Sequence, residues 1–126
     1  MHQITFHLDF VSPYAYLAFE RLPEVLQGLH VHVRYKPVLL GALLRQRGQR
    51  GPAEVPDKRE WTFRHAMWLG HAQGTPLRMP AQHPFNTLPL LRLAVACGGT
   101  DGLPNRYACE TIFRHVWQSG GDAADP

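Results

Sequence analysis

The stretch Ile4-Thr5-Phe6-His7-Leu8-Asp9-Phe10-Val11-Ser12-Pro13-Tyr14-Ala15-Tyr16-Leu17-Ala18 decides how the chain begins to fold. Up to Phe10 the pattern alternates, with Ile4, Phe6, Leu8 and Phe10 on one face and Thr5, His7 and Asp9 on the other, the period of a β-strand. Ser12-Pro13 then reads as a helix N-cap followed by proline at the first helical position, where its missing N–H is harmless. Tyr14, Leu17, Ala18, Leu22 and Val25 recur at three- and four-residue spacing, a stripe suited to packing on a sheet. Pro23 is expected to kink or end that helix. Gly28 breaks the segment, and Val31, Val33 and Tyr35 alternate with His32, Arg34 and Lys36 before Pro37, which predicts a second strand. Strand, helix and strand in so few residues form a βαβ unit with parallel strands.

From Leu39 the period becomes helical. Leu39 to Arg45 reads as a short helix, and Gln46 to Pro56, rich in Gly, Pro and Arg, as a loop. Asp57 is the expected N-cap of a helix with Trp61, His65, Trp68, Leu69 and Ala72 on its packing side, stopping at Gly74. Thr87 to Cys97 continues through Leu88, Leu91 and Val95 to Gly98-Gly99. Arg106 to Gln118 runs through Cys109, Ile112, Phe113 and Val116. The segment Gly120 to Pro126 has linker composition, and Pro126 is a residue that commonly opens another helix. The class is therefore α/β at the start and all-helical afterwards.

A chain of 126 residues, 44% hydrophobic and 18% charged, holds one domain's worth of core and is neither disordered nor fibrous. No apolar run approaches the roughly 20 residues of a membrane span, and the first ten residues carry His and Asp where a signal peptide is apolar. A cytoplasmic protein with no membrane partner is expected. The net charge of +3 is concentrated in Arg45, Arg47, Arg50, Lys58 and Arg59. No aromatic residue interleaves with these cations, so no nucleic-acid partner is expected; a solvated or anion-binding loop is. Cys97 and Cys109 form no Cys-x-x-Cys pair and lie on apolar stripes, which reads as two buried, inert thiols. The eight histidines include no His-x-x-x-His spacing, so no metal site is expected.

Chemistry points to the strand-to-helix junction. A thiolate against Ser12 would meet a hydroxyl donor and the positive end of a helix dipole, two influences that lower a thiol pKa. From spacing alone, the plain N-cap is the favoured reading of Ser12.

The run Phe6 to Ala18 resembles the opening of the 2-hydroxychromene-2-carboxylate isomerase and kappa-class glutathione transferase family, a DsbA-like branch of the thioredoxin-fold superfamily. Gly48-Gln49-Arg50-Gly51-Pro52 with Pro56-Asp57-Lys58 resembles the family's Gly-Asn-x-x-Pro loop and Pro-x-Lys helix start. Gly74-Thr75-Pro76-Leu77 with Pro80, then Asn86-Thr87, resembles its next two helix junctions. The resemblance implies a thioredoxin-like βαβ over residues 1–38 and a helical insertion domain over 39–126, with the C-terminal ββα half of the fold missing after Gln118. It implies glutathione as cofactor, its sulfur held by Ser12 and a carboxylate by Lys58, with Gln49 standing where the family has asparagine. Tyr14, Trp61, Phe85 and Asn86 are the candidate contacts for a small aromatic carboxylate substrate. The activity implied is a glutathione-dependent isomerase in aromatic catabolism. A kappa-type transferase or a truncated, noncatalytic binding module is the alternative. Ser12-Pro13-Tyr14-Ala15 holds no cysteine, which argues against a disulfide oxidoreductase. A first strand with one unpaired edge implies either a homodimer or other oligomer paired through that strand, or a fragment of a longer chain.

Overall fold

A parallel ladder joins β1 (His2–Leu8) to β2 (Val31–Pro37), with His2 opposite Val31 and Leu8 opposite Pro37. The computed structural model describes residues 1–123 and 125. Between the strands runs α1 (Pro13–Val25); α2 (Leu40–Gln46), a single 3₁₀ turn (Pro52–Glu54), α3 (Pro56–Ala72), α4 (Leu88–Ala96) and α5 (Arg106–Gln118) follow. His2 donates to His30 O and Leu8 O accepts from Val38 N, so the even-numbered residues of β1 bond toward β2. By the alternation of a parallel ladder, Gln3, Thr5 and His7 turn their N–H and C=O groups to the other edge. No second strand pairs there among the described residues.

The core lies between the sheet, α1 and α5. Phe19 packs 5.0 Å from Phe113 and 5.4 Å from Tyr35 between ring centroids, and Phe10 lies 4.8 Å from Phe113. The strand ends two residues earlier than the alternation suggests, because Asp9 and Phe10 already belong to the turn into α1. Leu17 is buried as expected, but Ala18 and Val25 face solvent while Tyr16 and Phe19 carry the contact. Large rings, not the small members of the stripe, fill the gap to α5.

Pro23 neither ends nor interrupts the helix, which runs on to Val25. A proline at this position leaves the carbonyl four residues earlier without its helical donor. That carbonyl is Phe19 O, and Arg106 Nη2 donates to it at 3.0 Å with the guanidinium 4.0 Å from the Phe19 ring centroid. Replacing Arg106 with Met is expected to lower stability by about 1 to 3 kcal/mol, the penalty of an orphaned buried acceptor. A denaturant midpoint unchanged from wild type would contradict this.

α3 corrects the sequence reading most. It begins at Pro56 after Val55, with Asp57 in its first turn and not as cap, and Ala72 is its last residue. Trp61 and Trp68 are each 63% exposed; Thr62, Ala66 and Gly70 form the buried face. A Cβ on Gly70 would lie 2.6 Å from Thr75 O, so close approach selects small residues on the inside and leaves the aromatic stripe outside. On α4, Leu91 and Ala94 are buried while Val95 is largely exposed. α5 buries Cys109, Ile112, Phe113 and Val116 as expected, and Trp117 besides. The Cys109 thiol is pushed up to about 12 by burial, whereas Cys97 is exposed at the end of α4, contrary to its reading as a buried thiol.

The segment after Gln118 does not behave as a linker over its described part. Ala81 N donates to Gly121 O at 2.9 Å, and Ala123 is buried. Pro126, expected to open a helix, lies outside the described residues, as does Ala124. Among the described residues, no helix is long and apolar enough to cross a membrane.

Candidate functional site

The turn from β1 into α1 is fastened by side chains from distant elements. Asp9, 4% exposed, accepts from Val11 N at 3.3 Å and from Thr87 Oγ1 at 2.7 Å through one oxygen, and from Leu40 N at 2.9 Å through the other. One carboxylate thus ties together the starts of α1, α2 and α4. Trp117 Nε1 donates to Phe10 O at 3.0 Å, and His83 Nε2 to Val11 O at 2.6 Å. At the end of this turn Ser12 caps α1, its Oγ accepting from Ala15 N at 3.1 Å. The cap uses the hydroxyl as acceptor, so its proton stays free for donation. Proline at 13 has no N–H, and the Tyr14 N–H has no acceptor among the described residues.

Ser12 opens onto a cavity of about 730 Å³ that also collects Tyr14, Gln49, Phe85 and Asn86, five of the seven residues singled out from sequence. Lys58 and Trp61 are not in its wall: Lys58 is exposed on the first turn of α3 and Trp61 on its outer side. Leu39, Leu44 and Phe63 make much of the wall apolar, and Arg45 is its one Lys or Arg among the described residues. Two other cations of the basic loop serve the loop itself, Arg50 donating to Glu54 O at 2.6 Å and Arg59 to Ala53 O at 3.0 Å. Asn86 accepts from Leu88 N at 3.1 Å, a local turn bond at the start of α4.

Trp61 connects to the cavity indirectly. Its ring stacks on His65 at 4.7 Å, and His65 Nδ1 is hydrogen-bonded to Tyr14 Oη at 2.8 Å. Burial raises the Tyr14 phenol above its ordinary value, so it is protonated at neutral pH. Among the described residues, no group of three or more His, Cys, Asp or Glu could hold a metal ion.

The sequence reading does not single out Asp9, His83 or Thr87 as site residues, and it takes Arg45 only as one cation of a solvated or anion-binding loop. Asp9 stands on the polar face of the alternating strand and Thr87 in the Asn86-Thr87 junction, while His83 sits in a loop with no distinguishing neighbours. Burial holds His83 below its ordinary value. The folded chain keeps this ring neutral where the unfolded chain takes up a proton, so its contribution to stability is full above about pH 6.5 and declines as pH falls below that. A denaturant midpoint that drops between about pH 7.5 and about pH 5, and drops less in His83→Gln, is the expected result.

Residues 3–126 match the family described as DSBA-like thioredoxin domain. Glutathione S-transferase kappa 1 of Caenorhabditis elegans is 42% identical over 57 residues, covering 44% of this chain and 25% of that protein. The 2-hydroxychromene-2-carboxylate isomerase of Pseudomonas putida is 26% identical over 119 residues, covering 93% of this chain and 57% of that protein. A solved structure of a selenomethionine 2-hydroxychromene-2-carboxylate isomerase superposes with a TM-score of 0.79 at 22% identity, over 96% of this chain and 59% of that one. The chain therefore spans about half, or less, of the length of the curated relatives it matches. With a parallel βαβ start, the Ser12 turn and a family match over nearly its whole length, the chain belongs to the DsbA-like thioredoxin domain family.

Proposed function

We propose that this chain carries the glutathione-binding part of an isomerase acting on an aryl-substituted alkene acid. The observation supporting this is the Ser12 hydroxyl, bonded as an acceptor within its own helix cap and, among the described residues, free as a donor, facing a largely apolar cavity. The donor set fits a thiolate: a hydroxyl proton, the unbonded Tyr14 N–H and the positive end of α1 converge, with no cysteine at the turn. When bound, glutathione supplies a sulfur that bonds reversibly to the conjugated alkene, making a rotatable single bond until the C–S bond breaks again.

The residues of this chain then divide the work. Ser12 donates to the anion and holds it deprotonated. Gln49 offers its amide to the tripeptide, and Lys58, by likeness to the family's helix start, a cation to its carboxylate. Arg45 takes the carboxylate of the aryl acid, while Tyr14 and Phe85 flank its ring. Asn86 faces the same cavity from the start of α4, and Trp61 acts on it through His65 and Tyr14. The two cations separate in titration: Lys58→Ala is expected to weaken glutathione binding by roughly 1 to 3 kcal/mol, and Arg45→Ala to raise the KM for the aryl acid by a similar margin. An unchanged glutathione Kd returns Lys58 to the solvated surface.

The 42% identity with a kappa-class transferase favours a second reading, in which the new C–S bond persists. Incubation with glutathione and a conjugated aryl alkene acid decides by product: an isomer of unchanged mass for the first reading, a thioether for the second. Glutathione binding without either product would describe a binding module. The reading includes self-association through the open edge of β1, where Gln3, Thr5 and His7 present groups that no strand pairs among the described residues. Sedimentation is expected to show a dimer or larger species, and a concentration-independent monomer would remove that part.

A further inference from the structure

We propose that His83 is a positioning residue for Ser12, orienting the peptide that carries the thiol-activating hydroxyl; this rests on the glutathione reading of Ser12. The Val11 carbonyl and the Ser12 N–H belong to one peptide unit. His83 Nε2 holds its oxygen at 2.6 Å, and Asp9 O holds its N–H at 3.2 Å. The plane from which the Ser12 side chain projects is thus gripped from both sides, once by its own turn and once from the segment between α3 and α4.

Packing alone does not account for an imidazole here. The ring is set among Phe63, Phe85 and Trp117, at centroid distances of 5.1, 6.4 and 5.6 Å, surroundings that an apolar side chain would fill as well. Its Nδ1 is buried with no hydrogen-bond partner among the described residues, a desolvation penalty that an apolar side chain would avoid. What the imidazole adds is a donor. A carbonyl only accepts, so Nε2 carries the proton, and the bond to Val11 O is the one polar contact the ring makes among the described residues. Trp117 performs the neighbouring task at Phe10 O from the inside of the core, whereas His83 does so from the cavity wall, within the site it orients.

The test compares His83→Leu, which removes the donor, with His83→Gln, whose amide reaches a similar point. Glutathione titrations followed by thiolate ultraviolet absorbance and by turnover are run on both variants, on Ser12→Ala and on wild type, each checked for a wild-type circular dichroism spectrum. His83→Leu is expected to lose about tenfold in turnover and most of the thiolate signal at nearly unchanged glutathione KM, with His83→Gln recovering most of both. If His83→Leu fails to fold, the wild-type chain still decides: the His83 Nε2–H resonance is expected to shift on glutathione saturation, and an unmoved resonance overturns the proposal. A wild-type thiolate signal retained by a folded His83→Leu removes the positioning role alone. Absence of any Ser12-dependent signal in wild type removes the glutathione reading and this inference together.

Discussion

Ser12→Ala is expected to lower glutathione-dependent turnover about 100-fold, the range lost with a single donor to a developing or stored negative charge. Stability should fall by only about 1 kcal/mol, because the lost interaction is one cap bond to Ala15 N at a half-buried helix end. The two effects come from the two ends of one hydroxyl: its oxygen serves the fold and its proton serves the ligand. Bond cooperativity links them, since an oxygen that already accepts a hydrogen bond makes its proton a better donor. Wild-type turnover and an unchanged thiolate absorbance in Ser12→Ala would leave Ser12 as a cap and nothing else.

Asp9→Ala is expected to be the most destabilising single change at the site, by about 3 to 5 kcal/mol, since it strands three buried or half-buried donors at once. Val11 N, Leu40 N and Thr87 Oγ1 belong to three helix starts, so the loss loosens α1, α2 and α4 together. Asp9→Asn keeps the shape and one acceptor oxygen and should retain roughly half the stability contribution. Equilibrium denaturation measures both. A loss under about 1 kcal/mol for Asp9→Ala would show that the carboxylate does not bind the turn together.

The local parts of this architecture were legible because local rules govern them. Alternation placed β1 and β2, Ser12-Pro13 placed the start of α1, and Arg106 to Gln118 emerged with its observed bounds. The orientation of α3 was not legible, because periodicity weighs apolar size while the contact at Gly70 demands its absence. Nor was the continuation of α1 past Pro23, which depends on an arginine 87 positions away from the carbonyl it serves. The site divides the same way. Ser12, Tyr14, Gln49, Phe85 and Asn86 lie in motifs or beside them and meet in one cavity. His83, Thr87 and Trp117 act through bonds spanning 72, 78 and 107 positions, which no spacing rule encodes.

The outward face of α3 gives the molecule a built-in optical contrast. Two of its three tryptophans, Trp61 and Trp68, are solvent-exposed, and the third, Trp117, is fully buried with its Nε1 bonded beside the Ser12 turn. Water around an excited indole shifts its emission to the red, while a dry core leaves it blue. An aqueous quencher such as iodide therefore silences Trp61 and Trp68 and leaves Trp117 as the surviving emitter. The residual emission then reports on the turn that carries Ser12, with no label added, whenever a ligand enters the cavity.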